Sequence, residues 1–152
     1  MAQIYKLVQE QRISRPRDKV FTFFCDPRNL DKITPAWLHF RIVDAPESVY
    51  RGCLLHYHLR IRGLPITWVS QIVEWDPPNR FVDVQVIGPY KLFHHIHEFL
   101  SIETGTLIRD LVYYALPLGW LGRLAHTLFV RRDLQKIFAY RYQKLEELLE
   151  TR

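Results

Sequence analysis

Hydrophobic and polar residues alternate along much of the chain, which is the pattern of β-strands whose two faces meet different surroundings. Turn sequences that contain Pro or Gly separate the alternating runs, as at Gly63-Leu64-Pro65 and Asp76-Pro77-Pro78-Asn79. Connections this short join antiparallel neighbours, so the pattern predicts an antiparallel sheet of about seven strands. The predicted strands are residues 3–13, 39–44, 53–62, 66–75 and 80–87, followed by two strands within 91–115.

Apolar residues at helical spacing predict helices in two parts of the chain. Val20, Phe21 and Phe24 share one stripe of a short helix, and Asp26-Pro27 begins a second one that Thr34-Pro35 ends. A long helix follows the last strand and, at about 1.5 Å per residue, would be roughly 45 Å long. Its apolar stripe consists of Leu121, Leu124, Ala125, Leu128, Leu134, Ile137, Phe138, Leu145 and Leu148.

The order of these elements is one strand, two short helices, six strands and one long C-terminal helix, which predicts an α+β fold. A strongly twisted antiparallel sheet that wraps around a single helix has a concave face. Side chains of the sheet and the helix cannot meet everywhere across that concavity. We therefore expect a cavity whose wall is one face of each strand.

The two strands within 91–115 carry an unusual polar pattern. The face shared by Phe93, His95, His97 and Phe99 would lie beside the face shared by Thr106, Ile108, Asp110, Val112 and Tyr114. With Thr104-Gly105 as a two-residue turn, Phe99 pairs with Asp110 and His97 pairs with Val112, so Asp110 is a diagonal neighbour of His97. Two imidazoles, a carboxylate and a phenol on an otherwise apolar face indicate a polar patch inside an apolar enclosure.

The inward face of the 80–87 strand decides which further polar groups join this patch. We take Phe81, Asp83 and Gln85 as inward; the alternative is the valine face, since a slip of one residue reverses every side chain. The loop 116–121 would plug or gate the mouth of the cavity. The predicted ligand-binding residues are Trp37, Tyr57, Trp68, Ser70, Asp83, Gln85, His95, His97, Asp110, Tyr114 and Trp120.

Four interpretations of His95, His97 and Asp110 follow from their chemistry. They form a buried hydrogen-bond network, or they orient the polar end of an apolar ligand. In the third, a histidine moves a proton beside a carbonyl, and the candidate catalytic residues are His95, His97, Asp110 and Asp83. In the fourth, they bind a metal. A diagonal carboxylate is a poor third ligand, so we expect no metal and no cofactor.

Composition narrows the choice of partners. The net charge of +5 comes from scattered basic residues, and the clusters Arg15/Arg17 and Arg131/Arg132 are short, so we expect no nucleic acid. Two cysteines without a CxxC spacing favour a reducing compartment, and neither a leader pattern nor a long apolar run is visible, so we predict a cytoplasmic protein. Docking of Trp120 and nearby arginines to an anionic membrane surface stays open but is not favoured.

Over essentially its whole length the chain resembles the START-like helix-grip proteins, also called SRPBCC, which include the birch pollen allergen, polyketide cyclases and lipid-transfer domains. It is most similar to a bacterial, polyketide cyclase-like branch of ligand-binding SRPBCC proteins. The resemblance implies a single domain over residues 1–152, with an internal cavity closed by the long helix and the preceding loop. It is carried by SRPRDKVFTFFCDPRNLDKITPAW, WVSQIVEW, FVDVQVIGPY, HIHEF, TLIRDLVYYALPLG and LQKIFAYR.

This resemblance and the polar patch together predict the function. We expect the protein to bind a small hydrophobic molecule, aromatic, polyketide-like or lipid-like, in its cavity, without turning it over. The alternative is a cofactor-independent cyclase or dehydratase that uses His/Asp acid–base chemistry in the same cavity. A further alternative is a peripheral lipid-surface module.

Overall fold

The computed structural model describes residues 2–150, so the two ends of the predicted 1–152 domain lie outside the described residues. A curved seven-stranded antiparallel sheet confirms the prediction from alternation. The strand order is β1-β7-β6-β5-β4-β3-β2, with β2 to β7 following one another as a meander. The strands are β1 Tyr5–Ile13, β2 Arg41–Asp44, β3 Leu54–Ile61, β4 Leu64–Asp76, β5 Arg80–Ile87, β6 Leu92–Ile102 and β7 Gly105–Ala115.

Two short helices follow β1 as predicted, α1 at Arg17–Cys25 and α2 at Asn29–Lys32, and a 3₁₀ turn covers Ala36–Leu38. The long C-terminal helix is also present, but in three parts: α3 at Trp120–Ala125, a π-helical segment at His126–Val130, and α4 at Arg131–Glu150. None of the helices within residues 2–150 combines the length and the apolar character needed to cross a bilayer.

Two apolar clusters fill the ends of the space between the sheet and the helices. In the first, Phe21 and Phe24 of α1 pack against Phe81 and Phe99, with ring centroids 5.1 to 6.2 Å apart. In the second, residues of β6 and β7 pack against α4; the buried members are Phe93, Val112, Tyr114, Leu134 and Phe138. The space between these clusters is where a cavity can persist.

The register of the β6–β7 hairpin differs from the prediction. Ile102 pairs with Gly105, so the turn is Glu103-Thr104 and Gly105 begins β7. His97 therefore lies directly opposite Asp110, and Phe99 lies opposite Ile108. The cause is contact with β1: Gly105 has φ +144°, and a Cβ there would collide with the carbonyl oxygen of Ile13. The predicted inward faces of both strands are confirmed, because their side chains are buried.

Polar contacts attach α4 to opposite sides of the sheet. On β1, the Nε2 groups of Gln9 and Gln11 donate to the backbone carbonyls of Phe138 and Tyr142 over 3.0 and 2.7 Å. Across the sheet, Arg62 in the β3–β4 turn makes a bidentate ion pair with Asp133, at 2.9 and 2.8 Å. The helix is thus supported at both sides of the curved sheet.

Candidate functional site

A cavity of about 210 Å³ lies between the concave face of the sheet, α4 and the segment around residues 23–40. Its wall is mostly apolar and receives side chains from every layer of the fold. Representative members are Phe24 of α1, Leu55 of β3, Phe93 of β6 and Phe138 of α4. One set of polar side chains on this wall, Asp26, Asn29 and Thr34, lies around α2. The other set comes from the sheet and α4 and consists of Tyr57, Ser70, Asp83, His95, His97 and Arg141.

Three of these polar groups, Asp83, His95 and His97, form a crossed network with Asp110 on three neighbouring strands. Asp83 pairs with His95 across β5 and β6, and His97 pairs with Asp110 across β6 and β7. The hydrogen bonds are diagonal to this pairing: His95 Nε2 lies 2.8 Å from Asp110 Oδ1, and His97 Nε2 lies 2.6 Å from Asp83 Oδ2. The two imidazoles stack with centroids 3.7 Å apart, and Phe81 stacks on the other face of His97 at 4.0 Å.

Arg141 of α4 completes the network from the helix side. Its Nη2 atom lies 3.4 Å from His97 Nδ1 and 3.7 Å from Asp110 Oδ1. The guanidinium lies over the rings of Phe24 and Phe138, at 5.5 and 5.9 Å. Its buried Nε–H has no hydrogen-bond partner among residues 2–150. We call Asp83, His95, His97, Asp110 and Arg141 the polar cluster.

The protonation of the polar cluster follows from burial and from these contacts. Burial lowers the pKa of His97 to about 4, assisted by His95, so this imidazole is neutral near pH 7. Burial alone would raise the pKa of Asp110, but Arg141 and the hydrogen bond with His95 outweigh it and hold that pKa well below its usual range. Burial alone would raise the pKa of Asp83, but the hydrogen bond to His97 and the nearby His97, His95 and Arg141 together outweigh burial and lower that pKa.

A neutral His97 with its proton on Nε2 satisfies both of its neighbours. It donates to the Asp83 carboxylate, which can only accept, and its Nδ1 lone pair accepts from Arg141. With His97 neutral, the carboxylates of Asp83 and Asp110 face the single guanidinium of Arg141. The cluster is therefore a largely satisfied network that retains the Nε–H of Arg141 as a donor.

A second group of hydrogen-bonded side chains lies on β3 and β4. Tyr57 Oη and Trp68 Nε1 both donate to Ser70 Oγ, over 3.2 and 2.9 Å. Because Ser70 already accepts two bonds, its own hydroxyl proton is free to be donated. Burial, with the nearby charge of Asp83, raises the pKa of Tyr57, which keeps its phenol protonated. All three residues lie on the cavity wall.

The cavity wall includes some predicted ligand-binding residues and not others. Those on the wall are Tyr57, Trp68, Ser70, Asp83, His95 and His97. Asp110 lies behind His95, and Gln85 uses its amide to bond the backbone of Tyr90 at 2.7 and 3.1 Å. Tyr114 points toward the π-helical segment, where its hydroxyl bonds His126 Nε2 at 2.7 Å. The polar group of each of these three side chains is bonded to another residue of the protein.

Trp37 and Trp120 are also away from the wall, since their side chains are 54% and 65% exposed. The prediction that loop 116–121 plugs the cavity is wrong. Leu118 and Gly119 have φ values of +69° and +53°, and this turn leads into α3 with Leu118 and Trp120 in solvent. The β5 prediction holds for Phe81 and Asp83, while Val82 of the alternative face is buried as well.

The sequence analysis missed Arg141, although its spacing contains a signal. The buried residues of α4 are Leu134, Phe138, Arg141 and Leu145, at intervals of four, three and four. An arginine on an apolar helical stripe needs a buried partner, and the predicted polar patch supplies two carboxylates. Residues of α1 and α2 on the wall were missed too. Nothing in the chain indicates which part of the sheet these two helices face.

A metal centre fits this arrangement less well than a hydrogen-bonded network. One ligand atom each from Asp83, His95 and His97 lies within 4.8 Å of the others. The two imidazoles, however, are stacked nearly parallel at 25°, so their nitrogens lie side by side instead of converging on a point. The guanidinium of Arg141 beside them would also repel a cation.

No protein-family model matches the chain, and no curated protein matches it at a significant level. Solved structures do match over nearly the full chain. A protein from Chromobacterium violaceum is 13% identical with a TM-score of 0.75, and the match covers 97% of this chain and 99% of that one. Ara h 8.0201 is 13% identical with a TM-score of 0.68, over 99% and 100%. Major latex-like protein 151 from Panax ginseng is 15% identical with a TM-score of 0.71, over 96% and 97%.

These likenesses and the observed topology define the class of fold. The chain has the helix-grip fold of the START-like proteins, in which a curved antiparallel sheet surrounds a C-terminal helix. The predicted resemblance is thereby confirmed at the level of the fold. Identities of 13% to 15% say nothing about the ligand, so the function has to be argued from the cavity.

Proposed function

We propose that this protein binds a small, mostly apolar molecule that carries a neutral oxygen acceptor. The observation that carries the proposal is the cavity itself, an apolar space whose wall includes Arg141, and the buried Nε–H of this residue has no partner among residues 2–150. Apolar pockets with a few polar groups at fixed positions are the usual form of small-molecule sites. Burial of the apolar part drives binding, at about 25 cal/mol per Å².

The size of the cavity narrows the ligand class. An engineered protein cavity of about 150 Å³ binds benzene, so a cavity of about 210 Å³ fits a molecule of one or two rings. A long acyl chain would require the helix or the 23–40 segment to move. We therefore favour an aromatic or polyketide-like ligand over a lipid-like one.

The charges of the polar cluster limit which chemical groups can form the polar end of the ligand. An oxygen acceptor on the ligand gains a hydrogen bond from Arg141. In a buried site, water cannot easily supply that hydrogen bond. A carboxylate on the ligand would approach the carboxylates of Asp83 and Asp110, which would repel it. A ketone or quinone oxygen accepts the same bond without that repulsion.

Three probes of similar shape test this proposal by isothermal titration calorimetry. They are 2-acetylnaphthalene, 2-ethylnaphthalene and 2-naphthoate, which differ only in the polar end. We expect the ketone to bind about tenfold more tightly than the hydrocarbon, the value of one net hydrogen bond. The carboxylate should bind more weakly than the ketone. If none of the three binds, the proposed function is wrong.

The variant Arg141→Lys tests the donor. Lysine keeps the positive charge beside Asp110 but has no Nε–H fork, so the preference for the ketone over the hydrocarbon should disappear. Arg132→Lys, at an exposed position on the same helix, is the matched control and should leave the preference unchanged. A ketone preference that survives in Arg141→Lys would contradict the assignment of the donor.

An enzyme is the second candidate, because His95 lies on the wall and is held by Asp110 at 2.8 Å. In such a cyclase or dehydratase, His95 would move a proton next to a ligand carbonyl. His97, with its pKa near 4, is a weak base at neutral pH and is less suited. Turnover that is lost in His95→Gln while binding persists would favour the enzyme.

A cytoplasmic location remains part of the proposal, supported by the free thiols Cys25 and Cys53.

A further inference from the structure

Five large apolar side chains are exposed within eleven consecutive residues at the start of the C-terminal helical segment. Their exposed fractions range from 48% to 74%. They are Leu118, Trp120, Leu121, Leu124 and Leu128, which we call the exposed stripe. Contiguous apolar surface of this kind is uncommon on a soluble domain and marks a surface that contacts something else.

The exposed stripe belongs to a well-anchored part of the fold. Its opposite side is buried, since Gly122 packs against the carbonyl of Pro117 and His126 stacks on Tyr5 at 3.5 Å. The ring of His126 also bonds the hydroxyl of Tyr114 at 2.7 Å. The helix therefore presents its leucines outward with one side already fixed, as an amphipathic helix at an interface does.

The charged side chains within residues 116–132, which include the exposed stripe, have one sign. Residues 116–132 include Arg123, Arg131 and Arg132 and contain no Asp or Glu. Beside the stripe, an open cleft of about 770 Å³ separates β1 from the helical segment, and Lys6, Arg123 and Arg131 lie on its wall. None of the described residues on that wall is acidic. The surface thus combines exposed leucines with a basic, polar cleft.

We propose that the exposed stripe docks onto a bilayer of anionic phospholipid. The leucines and Trp120 enter the boundary between head groups and acyl chains, where tryptophan is enriched. Lys6, Arg123 and Arg131 meet the lipid phosphates, and Arg132 adds to the attraction for a negative surface. A second copy of this chain is a poorer occupant, because stripe-to-stripe contact would place the arginines of the two copies against each other.

Cosedimentation with vesicles tests the docking surface. We expect the protein to sediment with phosphatidylcholine vesicles that contain phosphatidylglycerol, to bind pure phosphatidylcholine weakly, and to be released by high salt. The double variant Trp120→Ser/Leu124→Ser should lower the partition coefficient by about tenfold or more, because both side chains lose their apolar contact with lipid. Arg123→Gln/Arg131→Gln should remove the preference for phosphatidylglycerol.

Matched controls distinguish vesicle binding by the exposed stripe from non-specific hydrophobic adsorption. Leu64→Ser and Val86→Ser remove apolar side chains that are equally exposed elsewhere, and Arg51→Gln removes an exposed charge far along the chain. All three should bind vesicles as the wild type does. Failure of the folded wild type to bind at low salt, or equal binding by the stripe variants, would overturn the proposal. Self-association that the stripe variants abolish, without vesicle binding, would overturn it in favour of a dimer.

Discussion

At the scale of single residues, Arg141 decides whether the polar cluster can exist. Two carboxylates buried without a cation would each take up a proton, and the histidines would lose their anionic partners. The guanidinium lies within 3.7 Å of Asp110 and 3.4 Å of His97, and the pKa values of both aspartates are lowered. The same residue holds the cluster together and, in the proposed function, donates to the ligand. A substitution of Arg141 would then change binding and stability together.

The neutral state of His97 predicts how stability changes with pH. Its pKa is about 4 in the folded protein and about 6.5 in the unfolded chain. Between these values the unfolded chain binds the extra proton, so stability falls as the pH is lowered from about 6.5 to about 4, by up to about 3 kcal/mol. The lowered pKa of His126 adds a loss of the same sign. The aspartates, whose pKa values are lowered, contribute only below about pH 4.

Urea unfolding at about pH 7 and about pH 4.5 measures this loss. In His97→Gln the side-chain amide can still donate to Asp83 but does not titrate, so most of the difference between the two pH values should vanish. His94→Gln, on the opposite face of β6, is the control and should keep the wild-type difference. Equal stability of the wild-type protein at both pH values would show that His97 is not held neutral.

At the scale of elements, the contact of β7 with β1 fixes the hairpin register that places His97 opposite Asp110. Gly105→Ala should cost about 3 kcal/mol, because a left-handed φ and a collision with the Ile13 carbonyl act together. Gly63→Ala shares the positive φ, at +82°, but meets open space, so it should cost only about 1 kcal/mol. Thermal unfolding of the two variants compares the costs. Similar losses would mean that the close approach to β1 does not set the register.

The elements also show what the sequence could predict. The alternation of apolar and polar residues identified the inward faces of β6 and β7. Such alternation shows which side chains are buried, whatever they pack against. Register was missed because the deciding contact, Gly105 with Ile13, joins residues far apart in the chain. Arg141 was missed because the buried side of its helix was predicted from the apolar residues alone. Trp37 and Trp120 were placed on the wall by residue type, which does not determine the direction of a loop.

At the scale of the whole molecule, the support of α4 at both sides of the sheet explains why a cavity persists. Gln9 and Gln11 fix the helix to β1, and the ion pair of Arg62 with Asp133 fixes it across the sheet. The helix therefore cannot approach the centre of the sheet closely enough to fill the space beside Ser70. The order of elements predicts the concavity, but the volume left inside depends on these long-range contacts.

Ligand cavities leave room for stabilising substitutions, and this leads to a prediction about the whole fold. A larger apolar side chain on the wall would bury more apolar surface inside the cavity of about 210 Å³, so filling the cavity should stabilise the protein. Leu59 lies on the wall, and Leu59→Trp should raise the free energy of unfolding by about 1–2 kcal/mol.

The same substitution should weaken the binding of 2-acetylnaphthalene by more than about tenfold, because the indole occupies the space the probe needs. Val86→Trp, on the exposed end of β5, should change neither quantity. Urea unfolding and calorimetry on these two variants distinguish a space kept for a ligand from an incidental void. A more stable Leu59→Trp that still binds the probe would place the binding site outside this cavity. A gain in stability together with a loss of binding is the outcome expected if selection kept the cavity open for a ligand.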